Sequence, residues 1–124
     1  MWACPPPPPP AVPACAVHQA HWLVRHLHDP DPKWVHAVET TYDEANAAIS
    51  GKPHAEPGGR DVVVIEIKGK LVDNFDPRPP GYRRPYKGRF YVLMVDKATC
   101  QQDYVGIGSK GVRLRPLGKV TTIE

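Results

Sequence analysis

The chain has 124 residues, a net charge of +3 and 41% hydrophobic content, enough for one domain with its own core and too little for two. No apolar run approaches the ~18 residues that would cross a bilayer, and no basic stretch followed by an apolar one marks a signal peptide. Charge is uneven, with 3 Lys/Arg against 6 Asp/Glu over residues 1–59 and 13 against 7 over residues 60–124, so the C-terminal half is the one suited to an anionic partner.

Residues 1–15, "MWACPPPPPPAVPAC", are low-complexity. Six consecutive prolines favour an extended polyproline rod and donate no backbone hydrogen bonds, so the stretch reads as a disordered tail. A groove ligand or a spacer is the functional alternative. Cys4 and Cys15 flank the tract and Cys100 lies far from both. The odd count, without a C-x-x-C pair, defines neither a metal site nor a disulfide framework and leaves the redox compartment open.

Residues 16–28 predict an accessory helix with Ala20, Leu23, Val24 and Leu27 on one face. His18, His21, Arg25 and His28 fall on another. The arginine repels a cation, so this face is not expected to hold a metal. "DPDP" at 29–32 breaks that helix and supplies Asp31 as a cap and Pro32 as a first turn for the next. Trp34, Val38, Tyr42, Ala45 and Ile49 recur every three or four residues, which predicts the main helix over 32–50, stopped by Gly51.

Beyond a loop at 51–59, Val63, Ile65, Ile67 and Leu71 alternate with Glu66, Lys68 and Lys70. That period of two predicts a strand with one dry and one wet face. Residues 76–88, "DPRPPGYRRPYKG", make a long connection with a Pro80-Gly81 turn. Residues 89–95 form a second strand, apolar on both faces. A turn at 96–102 and a third strand at 104–107 follow, with a short edge strand at 120–123. Consecutive strands without intervening helices imply an antiparallel sheet over 61–124. The expected fold is α+β, with one main amphipathic helix packed on a 3–4-stranded antiparallel sheet, as a single domain over 16–124.

Two features could carry function. Cys100 sits at a hairpin tip without a local histidine or helix terminus to activate it, so it reads as an exposed loop residue and not as a nucleophile. Arg78, Tyr82, Arg83, Arg84, Tyr86, Lys87 and Arg89 concentrate cations and aromatic rings in one loop. Arg and Tyr are enriched at protein interfaces, and the same composition suits phosphates and bases. The alternative is a proline-stiffened loop whose arginines face water.

The stretch "IKGKLVDNF", a "PPG" loop, "YVLMVDKATCQQDYVGIG" and "LGKVTT" resemble a group of small actinobacterial proteins. In that group a "VDAxTG" hairpin precedes an "fGig" strand and a "dLxxLGxV" segment. The helix and meander also resemble PepSY-type and cystatin-like domains. The resemblance covers about residues 32–124 and carries no catalytic residues. It implies that Cys100 occupies the position of the group's positive-φ hairpin glycine, and it implies export to the cell envelope. The resulting expectation is a non-enzymatic protein- or peptide-binding module without a cofactor. A nucleic-acid-binding protein using 78–91, or a peptidase-modulating domain, are the alternatives.

Overall fold

The computed structural model describes residues 12–52, 56–76, 80–81 and 84–124. Helix α1 (Ala14–His26) is followed by strand β1 (Trp34–Thr41), helix α2 (Tyr42–Ile49) and strands β2 (Asp61–Asp73), β3 (Tyr86–Asp96), β4 (Gln102–Gly108) and β5 (Thr121–Thr122), with a short 3-10 turn at Arg115–Leu117. The strands form one antiparallel sheet in the order β4-β3-β2-β1-β5.

Among the described residues there are two helices and a five-stranded sheet, where one main helix on a three- or four-stranded sheet, with an accessory helix over 16–28, was expected. The predicted main helix over 32–50 is a strand and a helix in succession, joined at Thr41–Tyr42. A spacing of four satisfies both periods, since positions four apart share a helix face and also a strand face. What separates the two is propensity: "WVHAVETT" is dense in β-branched and aromatic residues that lose rotamers in a helix, whereas "YDEANAAI" is alanine-rich. The boundary carries its own signal, a Thr41-x-x-Glu44 pair whose side chains hydrogen-bond at 3.0 Å. Gly51, at φ +75°, lies just past α2 as a left-handed residue should.

Both faces of the sheet are covered, so β2 has no wet face over Val62–Ile67. On one face Val35, Ala37, Val63, Ile65, Ile67, Leu71, Tyr91, Leu93 and Val95 pack against Ala16, Ala20 and Leu23 of α1 and against Leu27, which caps its C-terminus. The helix over the Ile65–Ile67 face is therefore the one read as accessory. On the other face Val38, Val62, Val64, Val92 and Met94 pack with Ala45 of α2 and Leu114. Glu66 is almost fully buried there and accepts the Val112 amide at 2.6 Å, so a carboxylate read as solvent-facing instead pins the 109–114 segment to the sheet.

Residues 12–15 belong to the folded body and not to a tail. Val12 joins the α1 core, and Cys15 is bonded to Cys100 with the Cα atoms 6.3 Å apart. Residues 1–11, with Cys4 and the six-proline run, lie outside the described residues.

Candidate functional site

The cationic, aromatic stretch divides in the structure. Arg78, Tyr82 and Arg83 lie outside the described residues. Arg84 is exposed, and Tyr86, Lys87 and Arg89 belong to β3 and not to the preceding loop, with Lys87 and Arg89 exposed and Tyr86 half-buried. Pairing of β3 with β2 carries that strand beyond the end of β4. Its register runs on to Asp73↔Tyr86, while the β3–β4 ladder ends at Phe90↔Gly108. A register shift between Lys68 and Leu71 bends this outer arm. Gly88 lets the arm close on β4, because a Cβ there would stand 2.7 Å from the Gly108 carbonyl oxygen and 2.8 Å from Ile107 Cγ1.

A cleft of ≈ 360 Å³ lies between arm and edge strand, lined by Asp73, Asp76, Tyr86, Val105, Gly106 and Ile107. Asp73 is 1% exposed. Its Oδ1 accepts the amides of Phe75 and Asp76, both at 3.0 Å, which fixes the turn that follows β2. Asp76 Oδ2 accepts the Tyr91 hydroxyl at 2.9 Å, and its carboxyl also shares a hydrogen bond with Asp73. Burial, then the Asp73 hydrogen bond and charge, push the Asp76 carboxyl up to about 6. Burial and the bond to Asp76 push the Tyr91 phenol well above its ordinary range, so Tyr91 serves as a fixed donor. The Asp76 carboxyl, half ionised near pH 6, thus sits beside the Asp73 carboxyl in a cleft also lined by Val105, Ile107 and Tyr86.

Of the described residues singled out from sequence, Tyr86 alone lines this cleft. Asp73 and Asp76 carry no reading from sequence, and Tyr91 enters there as an aromatic ring interleaved with the cationic stretch. The signal for the two aspartates was Asp73 at the inward position two beyond Leu71, and a second aspartate three residues later, which is the spacing of an aspartate-capped turn. The pairing of Tyr91 with Asp76 has no local sequence signal, since the residue also belongs to a strand apolar on both faces.

Cys100 is a half-buried disulfide partner and not an exposed loop residue. Its φ is +62°, the left-handed conformation implied by the glycine it replaces, but its sulfur is bonded to Cys15 at the start of α1. It is half-buried and packs on the α1 core, and it offers no thiolate. Asp96 organises the same turn, accepting the Ala98 and Thr99 amides at 2.9 Å. These bonds, Thr99 foremost, together with Arg60 hold its carboxyl below the usual range. Among the described residues no three His, Cys, Asp or Glu gather as a metal would require, and no helix is long and apolar enough to cross a membrane.

These features define an antiparallel α+β protein with a carboxyl-floored cleft beside a sheet edge. No family model, curated protein or solved structure matches the chain.

Proposed function

We propose that this is a non-enzymatic protein- or peptide-binding module that works where thiols are oxidised, as in the cell envelope. The observation that carries the reading is the β4 edge. Among the described residues β4 pairs only with β3, so seven residues present their second row of backbone donors and acceptors outward. Strand addition to such an edge is a recurring way to bind an extended peptide: main-chain bonds give affinity, and a neighbouring pocket gives specificity. The cleft lined by Val105 and Ile107 supplies that pocket. The Cys15–Cys100 bond supports the compartment, since such bonds persist outside reducing cytosol.

Selection of displayed random peptides on the oxidised full chain tests the reading. Winners should be extended segments whose addition shifts the amide resonances of residues 102–108. Winners that leave those amides unmoved would overturn it. The exposed Arg84, Lys87 and Arg89 support a second reading, contact with nucleic acid. Phosphate binding would weaken steeply with salt, by orders of magnitude between about 50 and 200 mM if many phosphates are engaged. The likeness to PepSY-type and cystatin-like domains makes a peptidase a reasonable first partner to assay for inhibition.

A further inference from the structure

We infer that the segment added to β4 carries a single lysine or arginine anchor, seated in the cleft against Asp73 and Asp76. This rests on the peptide-binding reading above and gives the partner its chemistry.

The cleft holds room for one long side chain and not for a folded element. Its aliphatic wall, Val105 and Ile107, belongs to the edge strand itself, so a strand lying along β4 places its side chains next to the opening. The long methylene stem of lysine or arginine suits that wall, while its charged end suits the floor. On the floor Asp73 Oδ1 is committed to two amides and Asp76 Oδ2 to the Tyr91 hydroxyl. A cation bridging the two carboxyls would relieve the repulsion that otherwise favours keeping a proton between them.

Among the described residues the groups facing Asp76 are Asp73 from β2 and Tyr91 from β3, with Tyr86 of β3 lining the same cleft and β4 contributing Val105, Gly106 and Ile107. From the α1 side, His26 lies edge-on to Phe75, with ring centroids 6.5 Å apart, and His28 meets Asn74 at 3.3 Å. Neither histidine reaches the carboxyl pair in these contacts. Exposed Arg84, Lys87 and Arg89 on and before the arm favour acidic residues flanking the anchor.

The test uses the oxidised full chain and four short capped peptides of threonine and valine. The first has a central lysine between glutamates, and the second has norleucine in place of that lysine. The third is the lysine peptide with alternate backbone nitrogens methylated, and the fourth is a scrambled control. Binding is measured by calorimetry. Because the cation needs an ionised Asp76, affinity for the lysine peptide should rise about tenfold from about pH 5 to about pH 7.5. Norleucine should bind about tenfold more weakly at the higher pH and lose the pH dependence. Methylation should abolish binding, and Asp76→Asn should remove the pH dependence.

Equal binding of the lysine and norleucine peptides would overturn the anchor while leaving peptide addition to β4 standing. Unchanged binding of the methylated peptide would overturn strand pairing. Binding of none of the peptides, with sedimentation showing a dimer whose β4 amides are protected, would assign the edge to a second copy of the chain and overturn both.

Discussion

A non-glycine residue in the left-handed region carries a steric penalty of about 1 kcal/mol, and Cys100 holds that conformation at φ +62° in the hairpin turn while its sulfur is bonded to Cys15. Removing the bond from either side should therefore not be equivalent. Cys15→Ser loses the cross-link and keeps the penalty, while Cys100→Gly loses both. Cys100→Gly should be the more stable variant by about 1 kcal/mol in urea unfolding, with both below the oxidised parent by about 2–4 kcal/mol. Asp76 makes a second prediction. Its carboxyl stands at about 6 in the folded protein against an ordinary 3.8. Between those values the folded state binds more protons, so its contribution is complete below about pH 4 and is lost as pH rises through 6. Measured as parent minus Asp76→Asn, stability should fall by about 1 kcal/mol from pH 4 to 7, after allowance for partial exposure. The subtraction removes the opposite slope of Asp96, whose depressed carboxyl stabilises above its unfolded value and ceases to do so in acid. A flat difference would remove the proposed carboxyl pair. Tyr91→Phe takes away a donor that favours the ionised form, so an NMR titration should find the Asp76 carboxyl higher still than in the parent.

At the level of elements, α1 and the outer arm of β2–β3 are each held at one sensitive point. Leu27 is fully buried between α1 and the sheet, and Leu27→Ala should cost about 2–5 kcal/mol of unfolding free energy. Gly88→Ala should cost about 1–3 kcal/mol, because the new methyl meets the Gly108 and Ile107 backbone and side chain with no flexible group to yield. It should also narrow the cleft, so the lysine peptide should bind more weakly even where the protein remains folded. These positions show what the sequence made legible. The stripe Ala20, Leu23 and Leu27 marked α1, the alternation through Ile65 and Ile67 marked β2, and the Asp96–Cys100 turn marked the β3–β4 hairpin. Trp34–Thr41 was misread because its four-residue spacing fits two periods, and only its β-branched content breaks the tie. The second face of β2 was hidden because Val62 and Val64 sit inside a run that is apolar throughout, while Glu66 reads as solvated until the chain brings Val112 to it across 46 residues. The cleft was illegible for the same reason. It combines the end of β2, the start of β3 and the middle of β4, and no local pattern reports that meeting.

For the molecule as a whole, the sheet is graded from a well-covered middle to an open side. β2 is paired with both β1 and β3 up to Lys68 and covered on both faces, whereas among the described residues β4 has one neighbour and is only partly covered. Hydrogen exchange should follow that gradient. Amides of β2 directed at β3 should exchange only with global unfolding, and β4 amides directed away from β3 should exchange fastest within the sheet. Slow exchange of those outward amides in the isolated chain would mean that the edge is already occupied. Cys15 and Cys100 also divide the strands by connectivity. β1, β2 and β3 lie within the stretch they enclose, and β4 and β5, the two outermost strands, lie beyond it. Under tension applied at its two ends, such a chain can unravel only through the segments before Cys15 and after Cys100. The three interior strands stay in a closed covalent loop until a reductant cuts it, so a tethered molecule under load would surrender its peptide-accepting border while keeping its centre.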